Sequence, residues 1–189
     1  MTQKYGEDKV IAPGTVIISA AGEVSDIRKI VSPVLAHDKN SYLYYIDFSF
    51  DTLKLGGSAF AQALNKLGDE VPTVKDAEYF RDAFNAVQSA IEQRLVLAGH
   101  DISAGGMITA LLEMCFANVE GGLEVDLDAI NEADIVKILF AENPGILLQV
   151  KEKKAFEHLM REAGVGFALI ARPTEERHIL VSKEGIQYH

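Results

Sequence analysis

The sequence predicts one mixed α/β domain, a mixed sheet covered by helices, on three observations. Apolar runs of strand length, such as residues 42–48 and 146–150, are interspersed with stretches whose apolar residues recur at helical spacing, such as Phe80, Phe84, Val87 and Ile91. Strands exceed a simple helix–strand alternation at both ends, and GxGxxG with its ribose-binding acid is missing, which argues against a dinucleotide-binding unit. No linker or repeat interrupts the 189 residues, a length that suits a single core.

Charge and composition narrow the function. Lys plus Arg number 18 against 28 Asp plus Glu, a formal charge of -10, so nucleic acid is a poor partner. Backbone amides can still bind a small anion locally. Cys115 is the sole cysteine, set between Met114 and Phe116, which excludes an internal disulfide and reads as an inert, buried thiol. The five histidines show no metal-ligand spacing. No signal peptide and no apolar run of about 20 residues is present, so a cytoplasmic protein with no membrane contact is expected.

Taken in order, polar residues 1–11 read as a flexible boundary segment and residues 12–189 as the domain. Residues 15–21 read as a strand entered through Pro13-Gly14, and residues 26–31 as a helical turn or a loop carrying Arg28 and Lys29. Residues 42–48, rich in tyrosine, form a strand. Gly56-Gly57-Ser58 then opens a helix in which Phe60, Leu64 and Leu67 share a face and which Gly68 stops. Ser58 either caps that helix or donates to a phosphate. This is no Walker A loop, because Lys54 precedes the glycines.

Asp76 caps a long helix over residues 77–94, and residues 95–98 return to the sheet. The stretch Gly99-His100-Asp101-Ile102-Ser103-Ala104-Gly105-Gly106 is a strand-to-helix junction, placing unpaired amides where they can meet an anion or merely allowing close packing. The helix from Met107 is apolar on two faces; its Glu113 is either surface or part of an ordered charged pair. Residues 123–127 alternate as a half-solvated strand, Ile135, Ile138 and Leu139 mark a short helix, and residues 146–150 a strand. Residues 152–163 form a helix with Phe156, Leu159 and Met160 inward, capped at Gly164, before strands at 165–171 and 178–182. Two glycine loops that share one small anion must lie within about 10 Å of each other.

Several motifs together carry a family resemblance: Pro13-Gly14-Thr15-Val16-Ile17-Ile18-Ser19-Ala20, Asp26-x-Arg28, Leu55-Gly56-Gly57-Ser58-Ala59-Phe60-Ala61-Gln62, His100-Asp101-x-Ser103-x-Gly105-Gly106, Glu113-Met114-x-Phe116-Ala117 and Glu142-x-Pro144-Gly145. Over residues 12–183 the chain resembles the C-terminal-type domain of the aminoimidazole ribonucleotide synthetase superfamily, in particular its large, single-chain amidotransferase branch. The resemblance implies a part of an ATP- and glutamine-dependent carbon–nitrogen ligase of purine biosynthesis. That reaction turns formylglycinamide ribonucleotide into formylglycinamidine ribonucleotide through an iminophosphate displaced by ammonia. It implies ATP and magnesium in the parent enzyme, with neither retained by this piece. Its implied partners are an N-terminal-type synthetase domain, a glutaminase domain and the phosphorylated ribonucleotide.

By the same resemblance the substrate- or phosphate-binding candidates are Gly56, Gly57, Ser58, His100, Asp101, Ser103, Gly105, Gly106 and Arg28, with no catalytic residue and no metal ligand. Many relatives carry an acid where this chain has Ala104, which weakens a charge role for that loop. Two other readings fit the local pattern: a non-catalytic module for a small anion or nucleotide, and a structural domain whose apolar helix docks against a synthetase domain.

Overall fold

The computed structural model describes residues 2–11, 18–24 and 26–188. The expected strand at 15–21 falls partly outside these, and residues 18–21 are not in a strand. Residues 2–11, expected as a flexible segment, form a hairpin of β1 (Thr2–Tyr5) and β2 (Asp8–Ile11), turned at Gly6 with φ 64°. Ile27–Lys29 is one turn of 3-10 helix.

The body is a seven-stranded sheet. In chain order its elements are β3 (Tyr42–Asp47), α1 (Ala59–Ala63), α2 (Ala77–Glu92), β4 (Val96–Asp101), α3 (Gly106–Phe116), β5 (Gly122–Asp126), α4 (Ile135–Phe140), β6 (Gly145–Val150), α5 (Lys153–Glu162), β7 (Ala168–Thr174), β8 (Ile179–Lys183) and β9 (Ile186–Tyr188). The strands lie in the order β4-β6-β3-β7-β5-β8-β9; β5 and β8 run parallel and the other pairs antiparallel. The mixed sheet is the predicted architecture. β9 was not anticipated: its Ile-Gln-Tyr alternates, but three residues are too short a run to mark a strand, and all three are exposed.

Helices cover both faces. Strand alternation sends Leu43 and Tyr45 to one side, where they pack with Leu147, Leu123 and the α3 residues Met107, Leu111 and Met114. Tyr44, Ile46, Leu148 and Val150 face the other side, against α2 and α5. The α5 reading holds: Phe156 and Met160 are buried, Leu159 packs beside them, and Gly164 follows at φ 68°.

Asp76 caps α2 as expected, its carboxylate accepting the N–H groups of Glu78 and Tyr79 at 2.9 and 3.0 Å. The buried stripe, however, is Ala83, Ala86, Val87 and Ala90, while Phe84 is 47% exposed. Alanines let the helix lie close to the sheet, so the larger ring one position away turns outward. On α3 the face of Met107, Leu111 and Met114 is buried, whereas Leu112, on the other apolar face, and Phe116 are exposed.

Candidate functional site

The two glycine loops meet at one end of the sheet. β3 and β4 both pair antiparallel with β6, their registers setting Asp47 opposite Gly145 and Asp101 opposite Ile146. Both strands therefore release the chain where β6 begins. The turn ahead of β6 holds what they release. One oxygen of Glu142, Oε1, accepts the N–H of Ala59 at 2.7 Å and that of Gly105 at 2.8 Å. The two amides are thus well inside the separation a shared site requires.

Neighbours of Glu142 extend this grip. Buried Asn143 accepts the Lys54 N–H at 3.1 Å and donates to Ser49 Oγ and the Thr52 carbonyl. The Pro144 carbonyl accepts the Phe48 N–H, and that of Gly145 the Ile102 N–H. Asp51, its side chain enclosed, pairs with Lys54 within the 49–54 segment and ties that segment to Lys75, each at 2.6 Å, and to the Thr73 hydroxyl.

In the first loop the amides turn inward. The Gly56 N–H donates to the Glu70 carbonyl at 2.7 Å, and a Cβ there would sit 2.1 Å from that oxygen, which explains the glycine. The Gly57 N–H donates to Leu67, with Gly57 at φ 74°. Ser58 is buried; its hydroxyl donates to the Leu55 carbonyl at 2.7 Å and accepts the Ala61 N–H at 3.1 Å. The cap thus engages the hydroxyl in both directions. α1 is shorter than expected: Asn65 at φ 54° ends the turn, Leu64 and Leu67 are exposed, and Gly68 packs on Gly56 instead of stopping a helix.

In the second loop His100 is largely enclosed. Its Nδ1 lies 2.8 Å from the Asp101 carbonyl and its Nε2 3.0 Å from Glu113 Oε2, so Glu113 is both surface-exposed and paired. The Asp101 carboxylate is 76% exposed, and Ser103 and Ala104 also face solvent. Gly105, at φ 92°, precedes α3, and the Gly106 N–H donates to the Ser103 carbonyl at 3.0 Å. Gly106, at φ 75°, presses on the end of α4, where a Cβ would stand 2.6 Å from the Leu139 carbonyl oxygen.

Arg28 does not join this group. It pairs with Asp26 at 2.8 Å and lines a shallow groove with Arg94 and Val96, at the start of β4, whereas His100 and Asp101 lie at its end. Beside the first loop runs an open groove of about 490 Å³, walled by Leu53, Leu55, Phe60, Lys54 and Lys66. Burial pushes the Cys115 thiol up, in keeping with an unreactive side chain. Among the described residues no three metal-ligating side chains cluster, and no helix is long and apolar enough to cross a membrane.

The site therefore offers a rim: Gly57, Asp101 and Ser103 face outward, while the amides of Gly56, Gly57, Ser58, Ala59, Gly105 and Gly106 are satisfied internally. Glu142, which organises it, was not among the expected site residues. Its motif was visible, but its partners lie 83 and 37 positions away, beyond any local pattern.

Residues 48–183 match the family described as AIR synthase related protein, C-terminal domain. Phosphoribosylformylglycinamidine synthase of Homo sapiens is 38% identical over 167 residues, 88% of this chain and 12% of that protein. The probable phosphoribosylformylglycinamidine synthase of Caenorhabditis elegans is 35% identical over 170 residues, 82% of this chain and 13% of that protein. The chain thus spans a small part of the length of these relatives. The fold is shared with T. maritima PurL complexed with FGAR, at TM-score 0.67 and 18% identity, covering 86% of this chain and 28% of that one. T. maritima PurL complexed with ATP gives TM-score 0.66 and 18% identity over 86% of this chain and 26% of that one.

Proposed function

Because the chain belongs to the AIR synthase related C-terminal domain family, we propose that it acts as such a domain within a phosphoribosylformylglycinamidine synthase, lending one wall to a composite site for the phosphorylated ribonucleotide. The observation that carries this reading is the joining of both glycine loops at one sheet end by Glu142. The rim then meets substrate from one side, and an N-terminal-type synthetase domain closes the other.

The chain's own groups do not fit a self-contained site for magnesium nucleotide. The amides of Gly56, Gly57, Ala59, Gly105 and Gly106 are already bonded, and Asp101 brings a single exposed carboxylate to the loop mouth. ATP and magnesium therefore belong to the composite, with the glutaminase domain as a further partner that delivers ammonia. Exposed Leu112 and Phe116 on α3 support contact with another domain.

Calorimetric titration with formylglycinamide ribonucleotide tests this. The chain alone should show no saturable binding, and binding should appear once the N-terminal-type domain is added and weaken in Asp101→Ala. Binding by the chain alone would favour a self-sufficient anion module, and silence in both mixtures would reject the composite site.

A further inference from the structure

We propose that Glu142 is a positioning residue that couples the two glycine loops, so that a displacement at the start of α1 is passed to the start of α3. Among the described residues no hydrogen bond runs directly between residues 55–63 and 100–106; the connection passes through one carboxylate oxygen with an amide on either side. Hydrogen bonds to an ionised acceptor are roughly twice as strong as neutral ones, and a single acceptor atom leaves little slack between its donors. The turn that carries Glu142 is itself fixed, since buried Asn143 and the Pro144 and Gly145 carbonyls tie it to the 48–54 segment and to Ile102.

A second route between the loops also exists in the structure. Phe60 of α1 stacks on Phe140 with ring centroids 4.6 Å apart, and Gly106 packs on the backbone of the same residue. That contact is apolar and tolerates sliding, whereas the two short hydrogen bonds of Glu142 set a distance. The coupling is therefore assigned to the carboxylate. It rests on the proposed function only for what the loops hold; the linkage itself needs no ligand.

Amide hydrogen exchange on the 189-residue chain tests it without substrate, so failure of the synthase reading leaves this test intact. Ser58→Ala removes the cap on Ala61, and loss of an ordinary cap should speed exchange at Ala61 about fivefold. With Glu142 in place, Gly106, whose N–H donates to Ser103 within the other loop, should speed up as well. In a Glu142→Ala background the same change should affect Ala61 and leave Gly106 unmoved. Glu142→Gln, which keeps an acceptor oxygen, should restore the response at Gly106. Should Glu142→Ala lose the fold, seen as lost protection at buried Val87, Glu142→Asp takes its place, since the shorter side chain does not reach both amides. A Gly106 response that is the same without Glu142, or absent with it, overturns the proposal.

Discussion

Asp51 ties local charge to stability. Lys54, then Lys75 and the Thr73 hydroxyl, bond its enclosed carboxylate and hold it well below the usual carboxylate range. A lowered folded-state value means the unfolded chain takes up the proton first. Its stabilisation is complete above about pH 5 and is lost as pH falls through the ordinary range towards the depressed value. Asp51→Asn should therefore be less stable than the parent at pH 7, and the gap should narrow in urea titrations at lower pH. Ser58→Ala should cost about 1 kcal/mol, the usual worth of a cap, read as a lower urea midpoint. Gly106→Ala should cost about 2 kcal/mol or more, because φ is positive and the new methyl meets backbone of α4.

Among the elements, the two long helices on one face test which apolar residues form the core. Phe156→Ala should cost about 3–5 kcal/mol, whereas Phe84→Ala should stay within about 1 kcal/mol, measured by chemical denaturation. Both phenylalanines sit at helical spacing, so periodicity ranks them equally; only the closeness of α2 to the sheet separates them. Elements with several apolar residues and a cap, α2 and α5 above all, were legible in the sequence. α1 was drawn too long, since Leu64, Leu67 and Gly68 mimic a helical face while the left-handed backbone at Asn65 carries no side-chain signature. The glycine loops were legible as places but not in the direction of their amides. That direction depends on the Leu67 and Glu70 carbonyls and on Glu142, and no sequence window joins these groups.

For the molecule as a whole, the hairpin β1–β2 forms a sheet of its own, apart from the seven strands. Removing residues 1–11 should shift the melting temperature by less than about 2 °C, as for a terminal segment outside the core. The sheet holds a stronger constraint on assembly. β7 and β8 are joined by a short connection, yet β5, from more than forty residues earlier, lies between them. Neighbours in sequence are thus kept from forming the hairpin that local closure favours, and the centre of the sheet waits on a distant strand. During synthesis β5 emerges before β7 and β8, so its two edges are there for each of them to pair on. A fragment that begins after β5 would carry β7 and β8 without the strand that separates them, and they would be free to close into a hairpin that the intact protein does not form.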